Sequence, residues 1–223
     1  TLIDGHTFAQ FQAQLAQNKG VVQQLSGQSP TQVAATLGMT GGRPEGWLAP
    51  DTYYFAPGST DQEILRTLHQ KRARELDQLW TTRAPGLPLK TPYEALILAS
   101  IVEKETGIPS ERAEVAAVFI NRLRLGMRLQ TDPTVIYGLM DAGRYDGNIR
   151  RADLDEKNAY NTYQINGLPP TPIAMPSRAA LQATLHPAST PALYFVATGK
   201  GGHAFASTLS EHNANVARYL AQL

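Results

Sequence analysis

TPYEALILASIVEKETG, residues 91–107, decides how this chain is built. Thr91 supplies a hydroxyl N-cap, Pro92 takes the first helical position, and Glu94 completes the capping-box spacing, so a helix starts there. From Ala95 to Val102 almost every residue is apolar, and a helix apolar on every side belongs inside a core. Gly107 marks its end as a C′ residue. The helix therefore delivers two acids, Glu103 and Glu105, to the edge of the core. Each helical step turns about 100°, so residues two apart point about 200° apart and cannot form one carboxylate pair. Glu105 shares a face with Leu98, Ile101 and Val102, and Glu103 shares one with Leu96, Ala99 and Ser100. A carboxyl in the last turn meets the negative end of the helix dipole, and apolar neighbours desolvate it. Both effects favour the protonated form, which suits general acid catalysis near neutral pH. The plainer alternative makes both acids solvated or salt-bridged ends of a core helix.

Upstream, Thr60 and Glu63 form another capping box at the head of a long amphipathic helix. Its apolar stripe is Ile64, Leu65, Leu68, Leu76, Leu79 and Trp80, with Lys71, Arg72, Arg74, Glu75 and Asp77 expected mostly in water. Before it, GWLAPDTYYFAPGS (46–59) is rich in aromatic and turn residues. It reads as a buried connection, with a sugar-stacking platform as the sharper alternative. Phe8, Phe11 and Leu15 recur at helical spacing, and Ser29-Pro30 starts a second short helix. Downstream, Ser110 and Asp132 are expected to cap helices, the latter before Pro133. A loop-rich stretch runs from Gly143 to Pro176, followed by a short helix from Ser177 to His186. ALYFVAT (192–198) reads as a strand that turns through GKGG into HAFAST as a hairpin. Ser210 is expected to cap a last helix. The fold class is α+β, a helical region with a small antiparallel sheet that includes Leu193 to Val196.

Composition narrows the function. Of 223 residues, 42% are hydrophobic and 17% charged, as in an ordinary globular protein. Twenty basic and nineteen acidic residues leave a net charge of +1, with basic clusters only at Lys71, Arg72, Arg74 and at Arg150, Arg151. A nucleic-acid binder carries a stronger basic footprint, so no nucleic-acid partner is expected. The absence of cysteine excludes disulfides and thiolate metal sites. His186, His203 and His212 lie far apart, outside any HExxH-like spacing, so no metal or cofactor is expected. No nucleophile elbow, P-loop or dinucleotide fingerprint is present. No apolar run approaches the roughly 20 residues that span a bilayer. The chain opens at Thr1 and reads as a trimmed or mature fragment, from which an N-terminal anchor could have been removed.

The stretch ASIVEKET (99–106) resembles the signature of the YceG-like family, the endolytic murein transglycosylases. The resemblance continues through VFINRLRLGMRLQTDPTVIYGL (118–139), RADL (151–154), YNTYQINGLPPTPIAMP (160–176), HPA (186–188), LYFVATGKGGHAF (193–205) and the His212-Asn213 pair. EGWLAPDTYYF upstream also fits, so it runs from about Glu45 to the C-terminus. It implies non-hydrolytic cleavage of the β-1,4 bond between N-acetylmuramic acid and N-acetylglucosamine, leaving 1,6-anhydro ends and terminating nascent glycan strands. The family's acid maps onto the EKET stretch. SIVEKET also resembles a shorter transglycosylase pattern in which a helix-end Glu precedes Ser or Thr, which selects Glu105, with Glu103 the alternative.

Around that acid, Gln130, Thr131, Tyr160, Asn161, Thr162 and Tyr163 can hydrogen-bond sugar hydroxyls or acetamido groups. Asp132 is either a helix N-cap or a second carboxylate, and Asn121 and Arg122 either position the active-site loop or bind substrate. The rival functions are a hydrolytic glycosidase pairing Glu105 with Asp132 or Glu103, and a non-catalytic glycan-binding module. The resemblance further implies a LysM-like subdomain whose C-terminal part is residues 1–43, a connection over 44–60 and a catalytic domain over 61–223. It implies peptidoglycan glycan strands as substrate and cell-wall synthases as partners. Its location would be extracytoplasmic or periplasmic, on the inner membrane through the removed anchor. Lysozyme-like packing around the catalytic helix is expected by analogy.

Overall fold

In the computed structural model, which describes residues 1–222, the helices begin where side chains can satisfy their free backbone N–H groups. Helix α1 (Phe8–Gln17) starts at a Thr7–Gln10 capping box and buries Phe8, Phe11 and Leu15. Helix α2 (Pro30–Leu37) is capped by Ser29 and stopped by Gly38, whose φ of 68° few other residues tolerate. Helix α3 (Asp61–Thr81) carries the Thr60–Glu63 box. Helix α4 (Pro92–Glu105) is capped by Thr91 and buries every residue from Ala95 to Val102. Then follow α5 (Arg112–Arg124), α6 (Asp132–Asp141), the short α7 (Arg151–Asp155) and α8 (Arg178–Leu185). Strands β1 (Tyr194–Ala197) and β2 (His203–Ala206) pair antiparallel, with Phe195 opposite Phe205. Helix α9 (Leu209–Leu220) closes the described chain. The architecture is α+β, as the sequence predicts.

Helix α4 is the axis of the molecule. Helices α3, α5, α6 and α8 pack around it, and the hairpin lies against α5 and α9. Leu96, Leu98 and Ile101 are fully buried, and each such side chain contributes about 1.5–3 kcal/mol by leaving water. One hydrophobic core runs from Leu2 and Phe8 through Leu68 and Leu98 to Leu185. It is continuous across the expected boundary near residue 43. Gly5 N–H donates to the Met175 carbonyl and Met175 N–H to that of His6, tying the N-terminal segment beside α8.

Several local expectations need correction. Arg72 is fully buried, not solvated. Its guanidinium donates to the Pro176 carbonyl and, at 3.1 Å, to Glu75. Ser110 caps nothing: α5 begins after Glu111, without a side-chain cap. Asp132 is the first residue of α6, whose N-cap is Thr131. Thr208 and Glu211, not Ser210, make the box at α9. The loop-rich region contains α7. Among the described residues, no helix is long and apolar enough to cross a membrane.

Candidate active site

Glu105 is the last residue of α4, so the buried helix fixes its Cα while its side chain leaves the core. It opens on a groove of about 480 Å³. It is lined by Gln130, Thr131, Asp132 and Tyr163, by Phe119 and Arg122 of α5, and by Tyr194, Phe195, Leu209 and His212. Glu105 Oε1 accepts a hydrogen bond from the Thr131 hydroxyl. Burial holds the Glu105 carboxyl above the ordinary carboxylate range, and the charge of Asp132 adds to this. The Thr131 hydrogen bond and the nearby His203 oppose the shift. The sum is an acid that keeps its proton beyond the pH at which an exposed glutamate loses it.

Asp132 is exposed beside the groove, and its carboxylate accepts the Tyr163 hydroxyl at 2.6 Å. This contact draws it away from the N-cap role. Gln130 has a φ of 51°, a left-handed conformation that is strained for a residue with a side chain. It is held there by two contacts: its N–H donates to the Thr162 carbonyl at 3.2 Å, and its Oε1 accepts from Arg122 at 3.3 Å. Arg122 also donates to the carbonyls of Leu193, Arg128 and Leu129. It clamps the 128–131 loop to the entry of β1, and its charge lies 5.0 Å from the centre of the Tyr194 ring.

Four residues expected to touch sugar are not among the groove's lining residues. Asn121 is spent on the carbonyls of Thr190 and Ala192, at 2.8 and 3.0 Å. Asn161 is fully buried and donates to the carbonyls of Asp153, Leu154 and Glu156, which fastens α7. The Tyr160 hydroxyl pairs with Thr171, and its ring packs against Tyr137. Thr162 is fully buried behind Thr131. Glu103, on the opposite face of α4, accepts the Ser177 N–H at 2.8 Å and its hydroxyl at 2.5 Å, holding the start of α8. The structure thus brings Glu105, Gln130, Thr131, Asp132 and Tyr163 together.

Sequence reasoning missed Tyr194 and His212, which stack at 5.1 Å and line the groove. Both stand in family-like stretches, but nothing local says which side of the hairpin faces Glu105. His203 is bound at its ring and its backbone N–H by Glu111, at 2.8 and 2.9 Å. Among the described residues, no group of three or more His, Asp or Glu side chains is placed to hold a metal ion. The 46–59 stretch divides: Trp47 is buried and stacks on Tyr93, whereas Tyr54 is 93% exposed beside a separate cleft of about 330 Å³ between α1 and residues 53–59. Among the described residues, no carboxylate lines that cleft.

Comparison with known proteins identifies the family. A family model described as the YceG-like family matches residues 1–218. An endolytic murein transglycosylase of Bacillus subtilis is 35% identical over 176 residues, 79% of this chain and 48% of that protein. One of Streptococcus pneumoniae is 31% identical over 185 residues, 80% of this chain and 32% of that protein. The chain therefore spans half or less of the length of these relatives. A crystal structure of a putative yceG-like protein from Listeria monocytogenes superposes with a TM-score of 0.74 at 30% identity, over 96% of this chain and 74% of that one.

Proposed function

The chain belongs to the YceG-like family, and from that membership we propose that it is the catalytic part of an endolytic murein transglycosylase with Glu105 as its single acid and base. The observation that carries this reading is the Glu105 carboxyl at the end of a buried helix, its pKa raised by burial, opening on a groove. The relatives named as murein transglycosylases support the substrate class. That substrate lies outside the cytoplasmic membrane, so the proposed site of action is extracytoplasmic.

In the proposed reaction, Glu105 gives its proton to the glycosidic oxygen as the bond from muramic acid C1 to that oxygen breaks. Positive charge develops at C1, and the substrate's acetamido group shares it. The Glu105 carboxylate then takes the proton of the C6 hydroxyl, whose oxygen closes on C1. Bond and proton counts balance: one C–O bond breaks, one forms, and Glu105 ends protonated as it began. No water enters, so no second carboxylate is required, in contrast to hydrolytic glycosidases. Gln130 and Tyr163 are the polar groups proposed to face the sugar, with the Tyr194–His212 stack offering a flat surface to a ring.

Asp132 keeps one rival alive, because its carboxylate stands beside the groove and acts electrostatically on Glu105. Digestion of purified glycan strands in water enriched in heavy oxygen separates the two. The lyase gives anhydro ends free of the label. Reducing ends carrying the label would establish hydrolysis instead.

A further inference from the structure

We propose that Thr134 and Thr162, neither of which lines the groove, are positioning residues for Glu105. Their hydroxyls close a ring around the peptide groups of Thr131 and leave the Thr131 hydroxyl free to hold one oxygen of the acid. This inference rests on Glu105 being the acid of the proposed function.

The ring follows from counting protons. Thr131 N–H donates to Thr162 Oγ1 at 3.0 Å. Thr162 and Thr134 hydroxyl oxygens lie 2.8 Å apart. Thr134 Oγ1 lies 2.7 Å from the Thr131 carbonyl oxygen and donates to it. Each hydroxyl has one proton. Thr134 spends its proton on the carbonyl, so Thr162 donates across the 2.8 Å contact; its own approach to that carbonyl is longer, at 3.4 Å. Every proton in the ring is used once, and both peptide groups of Thr131 are fixed. Thr134 and Thr162 are fully buried, and Thr131 is 2% exposed, so water does not compete for these groups. The one hydroxyl outside the ring is that of Thr131, and it reaches Glu105 Oε1. With Oε1 accepting, the acid proton resides on Oε2. The strained Gln130 beside Thr131 is held by the same residue, through the Thr162 carbonyl.

The charged and titratable groups around the Glu105 groove are Asp132 at the start of α6, Tyr163, Arg122 of α5, Tyr194 of β1, His203 of β2 and His212 of α9, and valine at 134 or 162 alters none of them. Thr134→Val and Thr162→Val keep side-chain shape and remove the ring hydroxyls. Thr131→Val removes the donor and leaves the ring intact, since the ring uses only its peptide groups. All three should lower kcat by on the order of 10-fold to 100-fold, as a misplaced reacting group does, with KM near its wild-type value. All three should also move the Glu105 titration, read by carboxyl-carbon NMR and by the pH–rate profile, to higher pH, because a hydrogen bond favouring the carboxylate is lost. Thr134→Ser and Thr162→Ser keep the hydroxyls and should restore both readings.

Folded valine variants at 134 and 162 with a wild-type Glu105 titration would overturn the ring. If those variants fail to fold, Thr131→Val decides: an unchanged titration overturns the proposal. Cleavage surviving Glu105→Gln would instead sink the proposed function, while the NMR titration would still report on the ring.

Discussion

Glu103 and Glu105 leave α4 two residues apart, on opposite faces and with different partners. The helical period alone separates them, and that separation is legible in the sequence. What Glu103 does there is not legible, because its partner Ser177 lies 74 residues away. Both of its hydrogen bonds serve the first turn of α8. Glu103→Gln keeps one amide acceptor and loses the charge, so it should cost about 1 kcal/mol of stability and leave cleavage near wild type. Urea denaturation beside an activity assay checks this; a large loss of activity in a fully folded variant would reopen the choice between the two acids. Glu105 shows the reverse pattern, a carboxyl whose burial suits proton donation rather than stability. Thr131, expected to bind sugar, lines the groove and donates its hydroxyl to Glu105. Its short local motif carried no sign of that, since the hydroxyls that orient its peptide come from Thr134 and, through a distant loop, from Thr162.

Elements were legible where one short stretch decides them. Thr60–Glu63, Ser29-Pro30 and Thr91-Pro92 start α3, α2 and α4 as their spacing demands. The misread starts have long-range causes. Asp132 is the first residue of α6 rather than its N-cap, and its carboxylate accepts from Tyr163, 31 residues on. Glu111, at the start of α5, spends its carboxylate on His203, 92 residues on. The start of α9 is a different miss, since Thr208 and Glu211 carry the capping-box spacing in plain view. The sequence predicts a solvated Arg72 because helix α3 places it among charged neighbours. The carbonyl of Pro176 that draws it into the core is invisible from α3 alone. The hairpin was legible from its glycine turn, but its facing was not. Its contribution of Tyr194 and Phe195 to the groove depends on how it packs against α5 and α9.

The whole molecule is drawn together at Glu45, which the sequence offered only as part of a connection. Its buried carboxylate accepts the Phe8 N–H at the head of α1 and the Tyr137 hydroxyl of α6, both at 3.0 Å. Burial raises its pKa from 4.5 to about 7, against those two hydrogen bonds and the charge of Arg43. The unfolded chain therefore loses this proton near pH 4.5 while the folded chain keeps it to about 7, so stability from this group falls as pH rises across that window. At about 1.4 kcal/mol per pH unit, the loss is on the order of 3 kcal/mol. Glu45→Gln should flatten this decline and gain stability relative to wild type above pH 7, measured by thermal melts across pH; an unchanged pH dependence would show that Glu45 does not set it. The hydrophobic core also runs past residue 43, joining Phe8 and Leu15 to Leu68 and Leu98. The proposed reaction turns on one proton. Its decisive test is cleavage of purified glycan strands by Glu105→Gln, with Asp132→Asn alongside. The first variant should fold and lose cleavage by at least about a thousandfold, a barrier change of about 4 kcal/mol, while the second still yields anhydro ends. A folded Glu105→Gln that releases anhydro ends at the wild-type rate would rule out Glu105 as the proton donor.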